Sequence, residues 1–448
     1  MLAVALGPAS QTLWADDGPY TVQDVGPARG VALGVNASAA VVGAAGTAAP
    51  HTAFLTLFGG GPQPLPGLFV GSDDVAYGVH ADGWAVGHST GSLYLYSKPV
   101  TFAAGSPVDL APSAFMGAAR AVNASGAIAG WMYAANGFEA VIWTNGAPPV
   151  SFGPFAFAYA LNDGGVITGA QLVGLTQRAF TWSAGGPVTE LPSLGGNTAE
   201  GNGINNQGDV VGDSFRNASI NEIAVLWPAS GGVVDLGTFG GLTSSARDIN
   251  NHRQIVGNAL NASGAPRAFL SDAGAALVDL NTLLPADSGW VLLSANAIND
   301  AGQIVGEGTL NGEPRAFLLT PPVASDTTPP VISSVTTTPN SIWPPKHQMV
   351  DVTVGVVASD DSGETPVCAV LSVVSSEPDN ADGDGNTSAD TQVVGPERVR
   401  VRAERSGPGG ARTYTVTVQC TDGSGNAATG EGAVTIGEST ASKAKAKK

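Results

Sequence analysis

The feature that most constrains this chain is a motif that returns seven times, shown best by SARDINNHRQIVG at 245–257. Aligned on an Asn (His in one copy) and a closing Gly, the pairs are Asn36/Gly43, His80/Gly87, Asn123/Gly130, Asn162/Gly169, Asn205/Gly212, Asn250/Gly257 and Asn299/Gly306. The two residues of each pair are seven apart, and successive copies begin 44, 43, 39, 43, 45 and 49 residues on. A fixed period in this range marks a repeat architecture and outweighs local propensity.

Each repeat reads as four short apolar segments, in the sixth copy VVDL at 233–236, ARDIN at 246–250, QIVG at 254–257 and AFL at 268–270. All have strand length and turn-forming borders, and none is long enough for a helix. Between the second and third segments, Asn-x-x-Gly (Asn299 to Gly302, for example) predicts a hairpin turn. The Asn side chain bonds backbone two residues on, and the Gly takes a positive φ. Its recurrence in four copies, and in a fifth as His80 to Gly83, favours this structural role over a ligand site. Trp143, Trp182 and Trp227, which end the fourth segment in three copies, suit packing between neighbouring sheets better than a sugar-stacking strip.

Four strands per period of about 40–50 residues is the arithmetic of a β-propeller blade. The expectation is an all-β protein, with a seven-bladed β-propeller over residues 19–319. A β-solenoid is the rival, although its coils usually repeat at shorter periods. Because the array starts with a first-type segment and ends with a fourth-type one, the strand at 20–25 is expected to pair with the final blade. This repeat resembles the bacterial extracellular HAF-repeat family in VVDLGTFGG (233–241), ARDINNHRQIVG (246–257) and PRAFL (266–270), over roughly two thirds of the chain. Copies two and three depart most. The resemblance implies an exported propeller-like domain and brings no catalytic residues with it.

A Pro-rich stretch at 320–330, TPPVASDTTPP, reads as a linker. Beyond it the period stops, and alternating segments at 331–335, 349–358, 369–374, 398–403, 414–420 and 433–436 predict a β-sandwich over residues 331–437. This module resembles secreted bacterial immunoglobulin-like domains, including the HYR type, in DTTPPVIS (326–333), SIWPPKH (341–347), RAERSG (402–407) and YTVTVQCTDGSGN (414–426). No Trp lies between its cysteines, and Tyr414 stands six residues before Cys420, so an antibody-type core is not supported. The resemblance implies a spacer or adhesive accessory domain.

Cys368 and Cys420 are the only cysteines. In an oxidising compartment a disulfide closing their loop would contribute roughly 4 kcal/mol; two reduced core thiols are the alternative. Residues 1–18 are either a signal-peptide remnant or a disordered leader, since an apolar run is present without basic residues before it. Residues 438–448, with Lys443, Lys445, Lys447 and Lys448, read as a disordered basic tail.

The net charge of −18 disfavours non-specific binding to nucleic acid or anionic lipid. No run of about 18 apolar residues predicts a membrane span. Oxygen ligands at Asp382, Asp384 and Asn386, followed by Asp390, suggest a weak Ca²⁺ loop, although the bidentate Glu of an EF-hand is missing and Val393 stands in its place. A flexible acidic loop is the alternative. None of the five histidines falls in a zinc spacing, and no catalytic motif appears. Paired carboxylates such as Asp73-Asp74 carry only a weak glycosidase signal.

The expectation is therefore a monomeric, non-catalytic binding or scaffold protein, extracellular or on a bacterial cell surface. It would recognise a polysaccharide or a surface protein and need no cofactor beyond possible Ca²⁺. The alternative is a polysaccharide-active hydrolase or lyase, which would need carboxylates from several blades at one mouth of the channel.

Overall fold

A computed structural model describes residues 19–46, 49–91, 96–102, 106–144, 147–217, 221–322, 326–361, 365–379, 389–406 and 410–437. Among these, every regular element is a β-strand except one 3-10 turn at Leu280–Leu283. The fold is all-β. The chain forms two compact units, Met1–Pro322 and Val323–Lys448, divided within the Pro-rich stretch.

In the first unit each repeat contributes a four-stranded antiparallel sheet. The one built on the sixth motif runs Gly240–Ile249, Gln254–Asn261, Pro266–Asp272 and Val278–Asp279. Corresponding first strands are Gly30–Val35, Asp73–Val79, Gly117–Val122, Ala156–Leu161, Gly195–Ile204 and Trp290–Ile298. The sequence repeat is out of phase with the sheets. The first-type segment Val234–Gly237 pairs with Glu222–Trp227, so it forms the outer strand of the preceding sheet. The first such segment is Thr21–Asp24. It pairs antiparallel with Glu313–Thr320, the third strand of the last sheet.

Apolar side chains meet between successive sheets. One core joins Val211, Ala224 and Leu226 to Ala246, Ile255 and Phe269 of the next sheet. Another joins Ala32, Val41 and Phe54 of the first sheet to Val305, Ala316 and Leu318 of the last, which makes the arrangement circular. Phe54, Phe180, Phe269 and Phe317 occupy equivalent third-strand positions opposite the motif Gly and are fully buried, as is Phe102, which lies two residues further along its strand. Trp143, Trp182 and Trp227 are buried as well, the Trp227 indole donating to the Pro192 carbonyl at 2.7 Å. They pack between sheets and form no exposed strip.

The motif Asn closes its hairpin and also links the sheets. The Asn205 side-chain oxygen accepts from the Gln207 and Asp209 amides at 3.1 and 2.9 Å, and Gly208 has φ +86°. Its amide nitrogen donates to the Asn250 carbonyl of the next repeat at 3.4 Å. Equivalent bonds run Asn250 to Asn299, Asn299 to Asn36, Asn36 to His80, Asn123 to Asn162 and Asn162 to Asn205. His80, which has no amide, places its ring Nε2 3.3 Å from the Ala124 carbonyl. The circuit returns to its start, and sheets set in such a ring around a central cavity form a β-propeller.

The second unit holds two four-stranded sheets. One is ordered Val331–Thr338, Met349–Ser359, Arg398–Arg402, Thr391–Gly395; the other Ser341–Ile342, Ala427–Ile436, Arg412–Thr421, Val367–Ser375. Alternate residues of both face one core, including Val352, Val354, Val399 and Val401 from one sheet and Tyr414, Val416, Val418 and Val434 from the other. Cys368 and Cys420 sit opposite each other on neighbouring strands and form a disulfide. It staples two strands of one sheet.

Candidate functional site

In every repeat the pairing of first and second strands skips one residue, and that residue lies three before the motif Asn or His. The skipped residues are Leu33, Tyr77, Arg120, Tyr159, Asn202, Arg247 and Asn296. A β-bulge of this kind leaves one residue unpaired and re-aims its side chain. It also explains the closing Gly of the motif. A Cβ on Gly257 would lie 2.1 Å from the Ser245 carbonyl oxygen and 2.8 Å from the Phe269 ring. At Gly43, Gly87, Gly130, Gly169, Gly212 and Gly306 the corresponding carbonyl would be 1.9–2.0 Å away. The inner strand can bulge only where its partner has no side chain.

All seven bulge residues line one cavity of about 460 Å³ at the centre of the ring. The residue just before each motif Asn or His is a branched aliphatic: Val35, Val79, Val122, Leu161, Ile204, Ile249 and Ile298. Val35, Val122, Leu161 and Ile204 line both this cavity and a second one of about 270 Å³, lined by the motif asparagines and their neighbours Asp163, Asn206, Asn251 and Asp300. An aliphatic girdle thus separates a charged cup from an amide-rich one.

One side of the charged cup is aromatic and cationic. The Arg120 guanidinium lies 3.8 Å from the Tyr77 ring centre and 5.7 Å from that of Tyr159. Its Nε is buried without a hydrogen-bond acceptor. His88 packs 5.6 Å from Tyr77, and burial pushes its pKa down to about 4. Burial likewise pushes the Tyr159 hydroxyl up to about 12.

Acidic groups come from the later sheets: Asp248 and Glu307 line the cavity, while Asp213 and Glu200 are not part of its lining. Asp213 accepts from Asn202 Nδ2 at 3.0 Å and from the Ser245 hydroxyl, yet burial outweighs these bonds and raises its pKa to about 6. Asp248 accepts from the backbone amides of Ile249 and Ile298 at 2.8 and 2.9 Å, and burial raises it too to about 6. Burial also raises Glu200, which accepts from Gln177, and Glu307. The Arg247 charge counteracts the rise at Glu200, Asp213 and Glu307. Among the described residues neither Arg120 nor Arg247 makes a salt bridge. Carboxyls that titrate near neutrality can donate or accept hydrogen bonds, and can exchange protons, with a polar guest.

The sequence-derived site residues fall elsewhere. Asp382, Asp384 and Asn386 lie outside the described residues. Asp390, expected as a Ca²⁺ ligand, is fully buried, with its oxygens 2.5 Å from Arg412 Nη2 and 3.2 Å from Arg402 Nε. Two guanidinium partners already neutralise its charge. Asp73 accepts from the His51 backbone amide and Asp74 from the Ser72 hydroxyl, and neither lines the central cavity. An acidic trio unseen in the sequence, Asp326, Asp360 and Asp422, brings three carboxylate oxygens within 4.8 Å of one another.

No protein-family model matches this chain, and no curated protein matches it. Among solved structures it is similar to virginiamycin B lyase from Staphylococcus aureus, at 12% identity over 67% of this chain and 99% of that one, with a TM-score of 0.44. It is also similar to the β-propeller domain of the trilobed protease from Pyrococcus furiosus, at 8% identity over 69% and 94%, TM-score 0.43. A gluconolactonase from Xanthomonas campestris matches at 13% identity over 70% and 99%, TM-score 0.33.

Proposed function

We propose that this protein is an exported, non-catalytic binding protein: a seven-bladed propeller that recognises a glycan, carrying an immunoglobulin-like spacer domain. The observation behind this reading is the ring of bulge residues. Seven equivalent backbone positions aim four kinds of side chain, one Leu, two Tyr, two Arg and two Asn, into one cavity. A scaffold held constant by Asn and Gly, with variable residues at its centre, is the division of labour expected of a recognition site. Hydroxyl-rich ligands suit such a lining of amides, carboxyls and tyrosines. Export is supported by the disulfide, which persists in oxidising compartments. No helix is long and apolar enough to cross a membrane among the described residues.

A polysaccharide hydrolase or lyase is the second reading. It is favoured by Asp213 and Asp248, carboxyls from adjacent sheets that burial brings to about 6, near the range useful for proton transfer. One experiment separates the two. The full chain is incubated with a panel of soluble and insoluble polysaccharides, and retention and released sugar ends are read in the same tubes. Retention without release supports the binding reading, and release of new sugar ends replaces it with the enzymatic one. Neither retention nor release removes both.

A further inference from the structure

Arg120 stands out among the groups lining the charged cup. It is a cation in a strongly acidic chain, yet no carboxylate lies within salt-bridge distance among the described residues, and its Nε is buried without an acceptor. The Tyr77 ring stacks on its guanidinium, Tyr159 lies further off, and Arg120 itself lines the cavity. An unused guanidinium edge beside an aromatic ring matches the two oxygens of a carboxylate. The carboxyls that line the cup, Asp248 and Glu307, belong to the sixth and seventh sheets, whereas Arg120 rises from the third. Hydrogen-bonding groups for hydroxyls, Asn202 and Asn296 among them, also line it.

We propose that Arg120 is the anchor for a carboxylate-bearing sugar, so that the glycan bound in the cup is a uronic-acid-containing one. The carboxylate meets the Arg120 edge, and the ring hydroxyls point across the cavity to Asn202, Asn296, Asp248 and Glu307, which line it. This assignment rests on the glycan-binding reading. A volume of about 460 Å³ falls within the ~300–1,000 Å³ range of small-molecule sites, which fits the end or a short stretch of an acidic chain.

The test is calorimetric titration of the full chain with a short oligogalacturonide and with its carboxyl-reduced, neutral counterpart. It is repeated on R120Q, R120K and, as a control outside the cup, Arg315→Gln. The acidic oligosaccharide should bind and the neutral one should bind at least tenfold more weakly. R120Q should weaken the acidic ligand about tenfold to a hundredfold, the loss expected for a charge-assisted pair. R120K should recover part of that loss, and Arg315→Gln should leave binding unchanged. Unaltered thermal unfolding of R120Q shows that the loss is local. Equal binding of acidic and neutral sugars, or no effect of R120Q, overturns the carboxylate anchor while leaving glycan binding standing. If neither sugar binds, and the polysaccharide panel is also silent, the glycan reading falls and the anchor with it. If the panel shows retention of neutral glycans alone, only the anchor falls.

Discussion

At the residue scale, the motif carries two unrelated jobs on its two fixed positions. The Asn closes a hairpin and reaches the next repeat, so its loss removes bonds on both sides of a buried amide. Asn250→Ala leaves the His252 and Gln254 amides and the Asn299 carbonyl without their partner, and is expected to cost about 1–3 kcal/mol. Gly257→Ala drives a Cβ into the Ser245 carbonyl and the Phe269 ring. It should cost at least as much, since backbone cannot yield as a flexible side chain does. Denaturant titration of the two variants measures both. The turn role of the Asn was legible in the sequence because Asn-x-x-Gly has a local mechanism. Its bond to the next repeat was not, because that bond spans 39–49 residues, and 263 where the last repeat meets the first. The bulge residues were invisible for a different reason: what distinguishes them is a skipped pairing, and their identities differ from copy to copy.

Buried carboxyls give the first unit a pH signature. Asp213 has a folded-state pKa raised by burial to about 6 from an ordinary 3.8, so the folded form holds a proton that the unfolded form releases. Its contribution to stability is present below about pH 4 and is lost as pH rises to about 6 and beyond, a change of roughly 3 kcal/mol. Asp213→Asn keeps an oxygen for Asn202 and Ser245 and removes this dependence. The gain of the variant over the parent should therefore grow between pH 4 and pH 7. An equal difference at both pH values contradicts the burial account.

At the element scale, the closing strand is the informative one. Thr21–Asp24 is short and mostly exposed, but it completes the last sheet, and Tyr20 and Val25 beside it are buried in the flanking cores. Deleting residues 19–26 should lower the thermal midpoint of the first unit markedly, and an unchanged midpoint would show that the ring closes without it. In the second unit the disulfide closes a long loop between neighbouring strands. Cys368→Ser with Cys420→Ser should cost about 4 kcal/mol under oxidising conditions, read as a loss of chemical stability relative to the parent. The sequence showed the strands whose alternation is clear, such as Met349–Ser359 and Arg412–Thr421. It hid Thr391–Gly395 and the first half of Ala427–Ile436. AATGEG has no apolar alternation, and those residues become strand only because Arg412–Thr421 pairs along their whole length.

For the whole molecule, period and composition were enough to anticipate an all-β chain and a circular array, because a 40-odd-residue unit with four short strands can bury its faces only against copies of itself. Composition pointed away from the site, however. Asp382, Asp384 and Asn386 drew attention as a local run, whereas the charged cup collects single residues from all seven sheets, which no local spacing reveals. Asp390 belongs to the interior of the second unit, where Arg412 and Arg402 satisfy it. Replacing it with Ala would take the nearest carboxylate from a fully buried guanidinium and should destabilise that unit by about 3–5 kcal/mol.

The most direct measurement of where this protein acts is hydrogen–deuterium exchange on the full chain, with and without the glycan it retains best in the panel. Added protection should concentrate on peptides spanning the first strands of the sheets, Asp73–Val79, Gly117–Val122, Ala156–Leu161 and Trp290–Ile298 among them, which carry the bulge residues. Protection confined to the outer strands, or to the sheets of the second unit, would contradict the assignment of the central cup as the binding site.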